Sequence, residues 1–228
     1  MNRTLSIFVL LLALTVSAKA QQRNSTAARP NIILFFVDDM GWQDCSVPFW
    51  TKRTDFNQRY RTSNMERLAK EGMKFTNAYA TPVCTPSRIS LFTGMNAAHH
   101  KVTNWTSTKK NNNTDYPDDQ MSSVEWNING LSPFSGSTKA VYATALPQLL
   151  KDAGYFTIHA GKAHWGPMGT AGANPYNLGF MVNISGHAAG HPQSYLGKEN
   201  YGNTVGKITE HAVPDLEEYY GTDTFLTE

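Results

Sequence analysis

Cysteine is scarce in this chain: Cys45 and Cys84 are the only two thiols in 228 residues, so at most one internal disulfide is available. An excess of charge of one sign is lacking as well. The chain carries 20 basic and 18 acidic residues, and setting aside Arg3 and Lys19, the only charged residues of the first twenty, leaves 18 of each. That balance argues against nucleic acid or a membrane surface as the partner. Long apolar runs are absent except at the very start. There "LSIFVLLLALTV" (5–16) is too short to span a bilayer; with Arg3 ahead and Ala18-Lys19-Ala20 behind, residues 1–20 read as a secretory signal peptide. The mature protein is therefore expected to be exported, secreted or periplasmic, with no membrane association after cleavage. No internal repeat is present. In an oxidising compartment, a disulfide between the two cysteines is their plain reading.

What remains is enough for one sizeable core, with 40% hydrophobic residues. A polar lead-in, 21–29, is followed by "NIILFFVDD", whose apolar run Ile32 to Val37 predicts a strand buried on both faces, as in a parallel sheet. "SNMERLAKEGM" predicts a helix with Ser63 and Glu66 as a capping box, an apolar stripe of Met65, Leu68 and Ala69, and Gly72 as its stop. "KFTNAYA" reads as extended, and Thr85-Pro86 as N-cap and first residue of a helix running to about Gly94. "TALPQLLKDAG" and "YFTIHA" form a second helix–strand unit. This alternation predicts an α/β fold with a largely parallel sheet. Residues 103–138, polar and carrying Trp105 and Trp126, are too long for a plain connection and read as a functional loop or an ordered insertion.

Three places carry chemistry. Asp38 and Asp39 end an apolar run, where carboxyl ends of parallel strands line a ligand crevice; two adjacent carboxylates either hold a hard cation or cap and solvate. Cys84 stands at the start of a helix, whose free N–H groups attract an anion, with Arg88 nearby as a fork of donors. Its thiol is an activated nucleophile, a packed side chain, or the partner of Cys45. Lys162 and His164 follow "YFTIHA"; if that segment stays extended, residues two apart face one target, the lysine as an anion clamp and the histidine as a proton donor near neutral pH. Together they describe a metal-assisted site for an anionic tetrahedral group.

"PNIILFFVDDMGW", "CTPSRISLFTG" and "GYFTIHAGKAHWG" together resemble the N-terminal part of the type I, formylglycine-dependent sulfatases of the alkaline phosphatase-like superfamily. The resemblance runs from Arg29 almost to the C-terminus. It implies a mostly parallel central sheet flanked by helices, over a catalytic domain at 30–228 that lacks its C-terminal portion. It also implies oxidation of Cys84 to formylglycine (3-oxoalanine) by a maturation enzyme that reads Pro86 and Ser87, which leaves Cys45 unpaired. Asp38 and Asp39, with the modified Cys84, are implied ligands of Ca²⁺, with Mg²⁺ as the alternative. Arg88 then steadies the nucleophile, Lys162 binds sulfate oxygens, and His164 contacts the nucleophile or takes its proton. The expected function is hydrolysis of sulfate esters, on sulfated carbohydrates, where Trp105 and Trp126 either stack on sugar rings or pack inside.

Phosphonate or phosphodiester hydrolysis on the same scaffold, or an inactive truncated remnant that binds glycans, are the alternatives. Met95 stands where many members have Arg, and Met181 where Asp is common. A later family histidine corresponds to His187 or His191. Family members are much longer, and "EEYYGTDTFLTE" reads as the start of a helix cut short, so the chain is expected to be truncated, with an incomplete metal site and poor activity. Sequons fall at Asn24, Asn104, Asn112 and Asn183.

Overall fold

The structure is a computed structural model that describes residues 29–112, 114, 125–203 and 210–226. The leader, nearly all of the polar lead-in and the Asn24 sequon lie outside the described residues. The chain divides into two compact units, Met1–Phe36 and Val37–Glu228.

Among the described residues of the second unit, three helices precede two pairs of parallel strands separated by a fourth helix. Helix α1 spans Ser63–Glu71, α2 Cys84–Thr93 and α3 Ala97–His100. Strands β1 (Leu131–Ser132) and β2 (Val141–Tyr142) precede helix α4 (Leu146–Asp152), and β3 (Ile158–Ala160) and β4 (Val182–Ile184) follow. Two parallel pairs form, β1 with β2 and β3 with β4. The α/β class with parallel pairing is thus present, as two two-stranded sheets among the described residues. In the second pair His159 lies directly opposite Asn183.

The main core joins the strand units to α2. Ile89, Val102, Leu131, Val141, Trp165, Leu178 and Phe180 are buried together, with Phe92 packed against them. Trp165 is its centre: Phe92 meets it edge-on at 4.8 Å and Phe180 stacks on it at 5.9 Å. The Leu131 N–H donates to the Trp165 carbonyl at 2.8 Å. Gly130, at φ +71°, permits this approach, because a Cβ there would lie 2.0 Å from that carbonyl oxygen.

Several local expectations need correction. No strand forms at 32–37, and Ile33 is 89% exposed. An apolar run becomes a strand only through a hydrogen-bonded ladder, and the described strands, β1 to β4, pair among themselves. The Ser63–Glu66 capping box is not made: Thr62 is the N-cap, and its N–H donates to the Ser46 hydroxyl at 3.1 Å instead. The stripe of α1 stays outside the core, with Leu68 71% exposed. Helix α2 begins two residues earlier than expected, with Val83 as N-cap and Cys84 as its first residue; Gly94, left-handed at φ +70°, ends it. "EEYY" makes a single 3₁₀ turn at Glu217–Tyr219, not the start of a longer helix.

Residues 103–138, where described, are tied down as an insertion. The Thr106 N–H donates to Thr85 Oγ1 in α2 at 3.0 Å. Asn129, 1% exposed, donates to Asn111 Oδ1 and to the Thr138 carbonyl. Trp105 is exposed and Trp126 half-buried.

Candidate active site

Asp38, Cys84, Arg88 and Lys162 come from three distant stretches of sequence and meet at one point. Cys84 and Arg88 lie four residues apart in α2, hence on one face. Arg88 Nη2 donates to Asp38 Oδ1 at 3.2 Å, while Nη1 donates to the Lys162 carbonyl at 2.8 Å. Lys162 Nζ donates to Asp38 Oδ2 and also to Cys84 Sγ, the latter at 3.3 Å. Cys84 Sγ in turn lies 3.9 Å from Asp38 Oδ2. The Arg88, Asp38 and Lys162 side chains are all below 10% exposure, so these charges act on one another with little screening. Burial alone raises the Asp38 carboxyl, but the Lys162 ammonium and Arg88 guanidinium outweigh it and hold the group below its ordinary value.

Asp39, left-handed at φ +53° and exposed, completes a group with Asp38 and Cys84 whose ligand atoms lie within 4.8 Å of one another. Two carboxylates suit a hard divalent cation, and a thiol does not. An oxygen-bearing residue at position 84 makes the donor set uniform. By donor type and spacing these residues fit a divalent ion, which would share the Asp38 oxygens with Lys162 and Arg88.

His164 does not join this cluster by hydrogen bond. The alternation expected of an extended Lys-x-His segment fails because His164 sits at φ +53°. Its Nε2 donates to the Thr106 carbonyl at 2.9 Å, its backbone N–H donates to the His187 carbonyl at 3.1 Å, and Nδ1 has no partner among the described residues. Burial, aided by the Lys162 and Arg88 charges and opposed by the Thr106 carbonyl, pushes His164 down to about 4. The ring is thus neutral at pH 7, with Nδ1 a proton acceptor and not the donor expected from the Lys-x-His spacing.

His187 and Ser185, in the turn after β4, line a small cleft with Gly161 and Lys162. The Ser185 hydroxyl and both His187 ring nitrogens lack hydrogen-bond partners among the described residues. Burial pushes His187 to about 4 as well. His191 is exposed, its ring stacked on His211 at 4.7 Å. Both cysteines are free, and buried Cys45 donates to the Val47 carbonyl at 3.6 Å.

Three residues around the site were not marked by motif reasoning. Thr106 holds His164; His159 and Asn183 lie beneath Lys162. Asn183, marked only as a sequon, is 4% exposed with its amide nitrogen bonded to the Gly186 carbonyl and Asp215, so it offers no nitrogen to a glycan. A histidine and an asparagine at the centres of two short strands is the signal that would have found the pair.

The family model described as Sulfatase matches residues 30–226. An N-acetylgalactosamine-6-O-sulfatase of Bacteroides thetaiotaomicron is 34% identical over 164 residues, 70% of this chain and 25% of that protein. The N-acetylgalactosamine-6-sulfatase of Canis lupus familiaris is 31% identical over 156 residues, 68% of this chain and 25% of its own length. Arylsulfatase G of Rattus norvegicus is 32% identical over 146 residues, 63% of this chain and 22% of its own. The matched part thus spans about a quarter of the length of these curated relatives. With the model matched over nearly the whole chain, the chain belongs to the sulfatase family.

Proposed function

We propose that the protein hydrolyses sulfate esters of carbohydrates, with position 84 as the nucleophile after oxidation of Cys84 to formylglycine. The observation that carries this reading is the contact of the Lys162 ammonium with both Cys84 Sγ and Asp38, which puts a cationic clamp beside the nucleophilic position. The hydrated aldehyde presents two hydroxyls. One attacks sulfur and expels the sugar alcohol. The other then gives up its proton and becomes the aldehyde oxygen while the bond from the same carbon to the sulfated oxygen breaks, and water restores the hydrate. The net change consumes one water and releases the alcohol and sulfate.

Lys162 neutralises sulfate oxygens as charge builds on them. Arg88, bonded to Asp38 and the Lys162 carbonyl, orders both groups. His164, neutral with a free Nδ1 among the described residues, is the acceptor for the hydroxyl proton released on collapse. Asp38, Asp39 and the oxidised residue 84 would hold Ca²⁺, or Mg²⁺ in its place, which supplies Lewis-acid polarisation when bound. Amino-sugar sulfates are the substrate class favoured by the names of two relatives.

The remaining assignments belong to the same proposal: a signal peptide at 1–20, a polar lead-in at 21–29, a catalytic domain from residue 30, export, and a maturation enzyme as partner. The test is hydrolysis of 4-nitrophenyl sulfate by the matured protein. Cys84→Ala is expected to lower kcat by about 10³-fold or more; a variant that keeps its turnover contradicts the nucleophile.

A further inference from the structure

We infer that the buried His159–Asn183 pair is a positioning device that fixes the Lys162 clamp from below. The inference rests on the sulfate-binding role given to Lys162 above and adds two residues that do not touch substrate. Parallel pairing of β3 and β4 sets His159 and Asn183 directly opposite each other. Both are buried, at 8% and 4% exposure, where an unpaired polar group is costly. Each is therefore held by the bonds it makes.

Those bonds are directional. The Gly186 N–H donates to Asn183 Oδ1 at 3.2 Å, and Asn183 Nδ2 donates to the Gly186 carbonyl at 3.0 Å and to Asp215 Oδ2 at 3.3 Å. These bonds fix which way the amide faces, so its oxygen faces His159 Nδ1 at 3.0 Å and that nitrogen carries the proton. The ring packs edge-on against Trp165 and tilted against Phe180, each 5.1 Å away, and Gly186 lies against it: a Cβ there would come within 2.5 Å of Nδ1. The opposite edge of the ring faces the Lys162 carbonyl, with Nε2 at 3.3 Å from its oxygen.

With Nδ1 protonated, a neutral ring donates nothing to that oxygen; Arg88 Nη1, at 2.8 Å, is its donor. His159 acts as the wall against which the Lys162 peptide rests, and Asn183 holds the wall upright. The Gly161 N–H, bonded to the Ile184 carbonyl at 2.9 Å, closes the frame. Loss of either member removes the packing on one side of this peptide and leaves the Arg88 bond as its support, which loosens the hold of the ammonium on Asp38 and Cys84.

The test uses His159→Ala and Asn183→Leu, with His159→Asn as the conservative variant whose shorter amide keeps a donor towards Asn183. Two quantities are read in the whole protein: deuterium exchange of the peptide spanning Lys162, and affinity for inorganic sulfate by calorimetry. His159→Ala and Asn183→Leu are expected to speed exchange there at least tenfold and to weaken sulfate at least tenfold, while peptides of α2 exchange as before; His159→Asn recovers most of both. Unchanged local exchange in the two variants, or a uniform rise throughout the protein, overturns the inference. Failure of the unaltered protein to bind sulfate or cleave 4-nitrophenyl sulfate counts against the proposed function instead, and the exchange result stands by itself.

Discussion

At the scale of residues, one carboxylate organises the site. Asp38 gives one oxygen to Arg88 and the other to Lys162, so two buried cations depend on it. Replacing it with Asn leaves both uncompensated, and a loss of about 3 kcal/mol in unfolding free energy is expected, measurable by urea titration. A loss below about 0.5 kcal/mol would mean that water screens the cluster. His164 makes stability depend on pH. Its ring titrates at about 4 in the fold against an ordinary 6.5, so the unfolded chain takes up a proton first. Its contribution is full above pH 6.5 and is lost as pH falls towards 4, by about 3 kcal/mol in all. His164→Gln should make thermal melting less steep between pH 6.5 and 4, with His187 supplying part of the slope that remains, and an unchanged slope there would contradict the buried neutral ring.

The residues with their own motif were legible in the sequence, because Cys-x-Pro-Ser-Arg, Asp-Asp and Lys-x-His each mark a chemical need at a fixed spacing. What His164 faces was not, since a left-handed φ at one residue redirects a side chain without any sign in composition. His159 and Asn183 were illegible for a different reason. Their meeting depends on the register of two strands 24 residues apart, and register is a property of pairing.

At the scale of elements, short parallel strands are placed by close backbone approach more than by their own side chains. β1 meets the Trp165 carbonyl only because position 130 has no Cβ and accepts φ +71°. Gly130→Ala is expected to cost about 3 kcal/mol or more, read as a lowered Tm with β1 amides losing exchange protection first. A Tm within a degree of the parent would show that the two backbones separate freely. Helix α4 and β3 were anticipated because Gly154 separates them and each carries its own apolar pattern. The run 32–37 was anticipated as a strand and is not one, because hydrophobicity proposes a strand but only a neighbour with free N–H and C=O groups completes it. The same reasoning applies to α1, whose apolar stripe is right in period yet remains exposed. Amphipathic pattern states which face seeks cover, not what covers it.

At the scale of the whole molecule, most of the evident core gathers around Trp165 and carries α2 at its edge. The site is thus framed by the part of the fold with the densest aromatic packing, which keeps Cys84, Arg88 and Lys162 in register. The matched part spans a quarter of the length of the relatives, all of them sulfatases by name. The central claim is chemical and concerns one residue: that Cys84 works as an aldehyde. Mass spectrometry of the peptide containing Cys84, from the protein made in its own host and treated with a hydrazine trap, tests it most directly. A peptide with carbonyl oxygen in place of the thiol, captured as the hydrazone, is expected in proportion to sulfate ester turnover. An unmodified thiol at Cys84 throughout a preparation that turns over sulfate esters would contradict it.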